Sequence, residues 1–150
     1  MIDPMFVRNI LGLARKHLVT EIESTKLIDV ASLLTSGSGS VLVTDTNNVL
    51  QGVVTKTDIV RQISVCEGAT CLCPVATAMT RDVTVCRSED ALKDVSRVMK
   101  ERQLKNIPVV DENNRPVGVL TASAVLRTLL GDAEFEEAQL INYVKGVGYR

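Results

Sequence analysis

Two residues three positions apart, Thr55 and Asp58, carry the clearest chemical signal in this chain. The short apolar run before them, Leu50–Thr55, reads as a strand, and Asp58–Ile63 reads as a helix, so the pair sits where strand passes into helix. Backbone N–H groups at a helix N-terminus point outward with partial positive charge, a ready cradle for a phosphate. The Thr55 hydroxyl can donate to a phosphate oxygen there. A carboxylate in the first turn can accept from two vicinal hydroxyls, as acids grip ribose in dinucleotide sites. Gly52 permits close approach of a ligand or of another backbone. The same two residues also make a plain helix cap, with Thr55 capping and Asp58 complementing the helix dipole. The residues alone leave both readings open.

The other reactive side chains point to less. Cys66, Cys71 and Cys73 are separated by four residues and then one, which is neither a zinc knuckle nor a redox C-x₂-C pair. They read as small reduced side chains in a connection, with a thiol or metal sensor as the minor alternative, and Cys86 stands apart. His17 lies among Arg15, Lys16 and Leu18 with no acid at helical spacing, and reads as a surface residue. No Ser/His/Asp set, metal cage or pair of catalytic carboxylates can be assembled, so neither an enzyme nor a metal site is expected.

The elements that must position Thr55 and Asp58 occur twice. Asp45–Ile63 aligns without gaps on Asp111–Leu129, an offset of 66 residues. Seven of nineteen positions are identical: the Asp, both Asn, Gly52/Gly118, Val53/Val119, Thr55/Thr121 and Arg61/Arg127. Helical stripes lie upstream, Leu27, Val30, Leu33, Leu34 and Leu92, Val95, Val98, Met99, with Ser24 and Ser88 placed as caps. Asp-x-Asn-Asn is a tight turn whose Asn residues tolerate positive φ. With opening strands near His17–Ile22 and Asp82–Cys86, each copy reads β-α-β-β-α. Each is too small to close a core alone, so the two must pack face to face about a pseudo-twofold axis. Phe6–Ala14 and 132–144 carry further helical patterns that suit flank-covering or assembly helices.

The motifs Val41–Asp45 with Gly52–Asp58, Ile107–Asp111 with Gly118–Ala124, and the lead-in Ala78–Val85 together resemble a tandem pair of cystathionine β-synthase (CBS) domains, a stand-alone Bateman module. The resemblance covers about residues 17–131. It implies an α/β fold with an N-terminal helix (1–16), a first repeat (17–66), a connection (67–77), a second repeat (78–131), and a C-terminal helix and tail (132–150). It also implies that the Gly-x-x-Thr-x-x-Asp pattern holds the ribose and phosphate of an adenine nucleotide. Each cleft of such a pair draws on the opposite repeat. The expected site is therefore Thr55, Lys56 and Asp58 with Val83, Thr84, Lys105, Asn106 and Pro108. The second copy has Ala124 in place of the acid, and Gly39 and Ser40 opposite it offer no charge, so one nucleotide per chain is expected. AMP is the foremost ligand; ATP, ADP, NAD(H) and S-adenosylmethionine present the same adenosine. The resemblance further implies a regulatory homodimer acting on some partner protein, the alternative being an interaction module without a ligand.

Composition agrees. The 150 residues are 45% hydrophobic and 3% aromatic with a net charge of −1, which provides little electrostatic or stacking grip on nucleic acid. No apolar run reaches membrane-spanning length, and the first residues do not read as a signal peptide. A cytoplasmic protein is expected.

Overall fold

A computed structural model describes residues 5–36, 39–65 and 72–131, with Glu137 and Leu140 beyond them. The cysteines Cys66 and Cys71 and nearly all of the expected C-terminal helix lie outside the described residues.

The chain begins with a 3-10 turn over Val7–Ile10 that leads into α1 (Leu11–Arg15). The first repeat follows as β1 (Thr20–Ile22), α2 (Leu27–Thr35), β2 (Val41–Thr44), β3 (Leu50–Val54) and α3 (Lys56–Val65). A 3-10 turn at Val75–Thr77 leads to α4 (Leu92–Arg102), β4 (Asn106–Val110), β5 (Pro116–Thr121) and α5 (Ala122–Leu130). β1 pairs parallel with β2, and β2 antiparallel with β3; β4 and β5 form a second antiparallel pair. Both helices that follow the hairpins start two residues before the expected Asp58 and Ala124, because the junctions need no extra turn.

Why the repeats must meet is visible in β2, which is buried on both faces. Its Val41 and Val43 pack with Leu27, Val30 and Leu34 of α2 in the first repeat's core. The alternate residue, Leu42, points the other way and meets Leu50, Val110 and Val119, a cluster drawn from both repeats. Burying each such Leu or Val is worth about 1.5–3 kcal/mol, so a lone repeat would forfeit this seam. The two hairpin turns touch as well: Leu50 N–H donates to the Asn114 carbonyl at 2.9 Å, and Arg115 Nε to the Asn47 carbonyl at 3.1 Å. In both turns the Asp carboxylate accepts two backbone N–H groups, and the second Asn has positive φ, 65° at Asn48 and 61° at Asn114, as the turn signature predicts.

The lead-in segments pack on specific repeats. Val7, Ile10 and Ala14 join the core of the second repeat with Leu92, Val95, Met99 and Leu120. Val75 and Met79, from the connection, join that of the first. Residues 7–14 thus cover the flank of the second repeat.

Two local expectations are corrected. Ser24 and Ser88 do not cap the helices, which begin after Lys26 and Ala91 with no side-chain cap bond. The backbone of the lead-ins does that work: Leu27 N–H donates to the Cys73 carbonyl at 2.8 Å and Leu92 N–H to the Met5 carbonyl at 2.9 Å. The second correction concerns Asp82–Cys86, which forms no strand and keeps a single parallel bridge from Cys86 to Val109. In the first repeat, Leu42 N–H donates to the Val19 carbonyl at 2.9 Å as β1 enters the sheet. The residue in Leu42's place is Pro108, which has no N–H to give, so the ladder stops.

A cleft between the repeats around Asp58

Gly52 and Gly118 set the geometry of the two clefts. A Cβ on Gly52 would lie 2.7 Å from the Thr80 carbonyl oxygen, and one on Gly118 2.8 Å from the Ala14 Cβ. Each glycine thus admits the lead-in segment onto the hairpin's open edge. On the first repeat the contact is a bridge, with Val53 N–H donating to the Thr80 carbonyl at 2.9 Å and Thr80 N–H to the Val53 carbonyl at 2.8 Å. Of the two partners the sequence allowed Gly52, a backbone is the one present.

That bridge carries Thr80 to Asp58. Asp58 is only 6% exposed, and its carboxylate is saturated. Oδ2 accepts from the Thr55 N–H at 2.9 Å and from the Thr55 hydroxyl at 3.1 Å. Oδ1 accepts from the Thr80 hydroxyl at 3.0 Å and from Arg61 Nη1 at 3.2 Å. In return the Thr55 hydroxyl accepts from the Asp58 N–H at 3.4 Å, so the helix-capping arrangement is realised. The capped Asp58 also lines a cavity.

The cavity is about 480 Å³ and runs between the repeats. It is lined by Thr55 and Asp58 from the first repeat and by Val83, Thr84, Lys105, Asn106 and Pro108 from the second and its lead-in. Seven of the eight expected residues are therefore brought together. Lys56 is the exception: it is exposed on the first turn of α3 and is not part of the lining. Sequence reasoning missed Arg61 as a cleft residue; Thr80 and Asp82, which also line the cleft, belong to the lead-in segment Met79–Thr84, which was expected to flank the base near Asp58, but were not singled out. Arg61 was visible as one of the identities between the repeats, and Thr80 as part of the lead-in motif. Gly39 and Ser40 reach this cavity too, although they were expected only at the other one.

The second cleft, about 370 Å³, is lined by Lys16, His17, Val19, Ser36, Gly39, Ser40, Asn106, Val119 and Thr121. Thr121 keeps its capping role, accepting from the Ala124 N–H at 3.1 Å. The acid is missing, as expected. The expectation of a cleft without a basic residue is corrected, because α1 and the turn after it deliver Lys16 and His17. Ala14, the counterpart of Thr80 against the hairpin glycine, has no hydroxyl to offer. Acid and hydroxyl have gone together.

Of the cysteines, Cys73 is half-buried and Cys86 is buried. Burial, and secondarily the charge of Asp90, push the Cys86 thiol up to about 12 from an ordinary 9.0. It is no nucleophile near neutral pH. Between those two values the unfolded chain loses the Cys86 proton while the folded chain keeps it, so stability falls as pH rises above 9. The slope from this thiol is up to about 1.4 kcal/mol per pH unit. Thermal melts from pH 8 to 10.5 should show a shallower decline for Cys86→Val than for the parent. Among the described residues no group of three His, Cys, Asp or Glu side chains could hold a metal ion, and no helix is long and apolar enough to cross a membrane.

Duplicated α-β-β-α units, the first opened by β1 and the second by a single bridge at Cys86, together with a shared seam and paired inter-repeat clefts, define a two-repeat module. Residues 7–65 and 75–131 each match the family model of the CBS domain, and the chain belongs to that family. The structure resembles that of CBSX2 in complex with AMP, 28% identical with a TM-score of 0.71, covering 83% of this chain and 96% of that one. It also resembles the cytosolic domain of the Mg²⁺ channel MgtE in complex with ATP, 25% identical with a TM-score of 0.62, covering 75% and 45%. The transcriptional repressor CcpN of Bacillus subtilis (strain 168) is 28% identical over 112 residues, 71% of this chain. The chain spans about half, 52%, of that repressor's length.

Proposed function

We propose that this chain is a regulatory module that senses an adenine nucleotide in the Asp58 cleft. One observation carries the reading: Thr55 and Asp58 of the first repeat and Lys105 and Asn106 of the second line one cavity, whose volume lies in the usual range for small-molecule sites. Asp58, held in place by Thr55, takes the ribose diol, the N-terminus of α3 takes a phosphate, Lys105 adds charge from the opposite repeat, and Val83 and Pro108 offer apolar contact to the base. AMP is the foremost ligand, followed by ATP, ADP, NAD(H) and S-adenosylmethionine; that CBSX2 and MgtE were solved with AMP and ATP supports the class. Because the ligand touches both repeats, it favours whichever packing or association of them it binds more tightly. The module acts in the cytoplasm on a partner protein and performs no catalysis itself. A homodimer fits the apolar side chains that α3 and α5 leave exposed, Val60, Ile63 and Leu126.

The test is isothermal titration calorimetry of AMP, ATP, NADH and S-adenosylmethionine into the purified protein. The expected result is saturable binding of at least one, at one site per chain. Silence across the panel overturns the reading in favour of an interaction module without a ligand. The observation favouring that second reading is the saturated Asp58 carboxylate, which needs no ligand to complete its hydrogen bonds.

A further inference from the structure

We infer that Arg61 makes the Asp58 cleft discriminate between phosphorylated and unphosphorylated adenosine compounds, by exchanging its partner when a ligand enters. The inference rests on the nucleotide reading and goes beyond it.

A carboxylate offers about four lone-pair positions, and Asp58 has four donors on them. A ribose diol that binds Asp58 must displace some of these. The Thr55 N–H belongs to the junction backbone, and its hydroxyl is tied into the cap of α3. Thr80 is anchored by two backbone hydrogen bonds to Val53, and its hydroxyl needs only to rotate. Arg61 is different: its side chain is 66% exposed and its link to Asp58 is a single contact of 3.2 Å, so water can solvate the guanidinium when it lets go. It is the donor that yields at least cost.

Once displaced, the guanidinium is still in the cleft, where Arg61 and Lys105 are the cations of the lining. Its several donors suit a phosphate. A phosphorylated ligand therefore gives Arg61 a new anion for the one it takes away, and a neutral nucleoside gives it nothing. Asp58 and Asp82, the two acids of the lining, repel phosphate unless these cations answer them.

The test compares ATP and adenosine binding to the whole chain, parent against Arg61→Ala, with Arg61→Gln as a longer neutral variant and circular dichroism to confirm the fold. Arg61→Ala is expected to weaken ATP about tenfold, the scale of one charge-assisted hydrogen bond, while adenosine holds or tightens. Arg61→Lys should recover part of the ATP affinity. If ATP and adenosine weaken together, or neither changes, in a parent that binds ATP, the discriminating role is overturned and the nucleotide reading stands. If the parent binds neither compound, nor any other of the adenosyl panel, both fall.

Discussion

Replacing Asp58 with Ala is expected to lower adenine-nucleotide affinity about 100-fold, the loss of two hydrogen bonds from ribose hydroxyls to a charged acceptor. Calorimetry on the variant measures this directly. The carboxylate also caps α3, through the Thr55 N–H at 2.9 Å, so the same change should cost about 1 kcal/mol of stability. The two effects separate by design. Asp58→Asn keeps the side chain's shape and one acceptor, and should recover much of the stability while still losing most of the affinity, because the uncharged amide presents a donor to one of the two hydroxyls. If either variant binds the nucleotide as the parent does, Asp58 is a helix cap and nothing more.

Gly52→Ala should be the most damaging single methyl in the first repeat. The new Cβ would stand 2.7 Å from the Thr80 carbonyl oxygen and 2.8 Å from the Met79 sulfur. The methionine can swing away, but the carbonyl is fixed by its bond from Val53 N–H. The lead-in must then lift from the edge of β3, at a cost of about 1–3 kcal/mol in overpacking. Lifting it takes Thr80 away from Asp58 and moves Asp82, Val83 and Thr84, which line the cleft. Melting temperature and nucleotide affinity should therefore fall together. The matched control is Gly118→Ala, whose Cβ would meet Ala14 at 2.8 Å. It should destabilise the N-terminal segment by a similar amount and leave Asp58-dependent binding largely intact. Equal loss of binding in both variants would mean that the glycines support the fold as a whole rather than one cleft each.

These contrasts show which parts of the site were legible in the chain and which were not. Thr55 and Asp58 could be found because they lie three residues apart at a strand-to-helix junction, a local relation that spacing records. Lys105, Asn106 and Pro108 came only through resemblance, since they are about fifty residues away and nothing local ties them to Asp58. The contact of Thr80 with Asp58, within a lead-in expected near the base, and the place of Arg61 in the cleft were not legible, for different reasons. Thr80 reaches Asp58 through a backbone bridge that leaves no periodic trace, and Arg61 stood out only as an identity between the repeats, which does not say what it faces. Lys56, adjacent to Thr55 in sequence, turns outward because the first turn of α3 points it to solvent.

By itself the amino-acid sequence determined the repeat, the short apolar run Val41–Val43 of β2, the stripes of α2 and α4, the Asx turns with their left-handed Asn residues, and the loss of the acid at Ala124. All of these are local patterns, written in periods of 2 and 3.6 or in turn chemistry, and duplication made them readable twice. Tertiary structure decided the rest. It put each lead-in against a hairpin glycine, replaced the expected Ser24 and Ser88 caps with backbone carbonyls, and ended the second repeat's opening strand where Pro108 has no N–H to donate. It also brought Lys16 and His17 to the cleft that had seemed uncharged. Each of these depends on which distant backbone arrives at a given edge, and that is settled by the packing of two cores against a common seam rather than by any spacing along the chain.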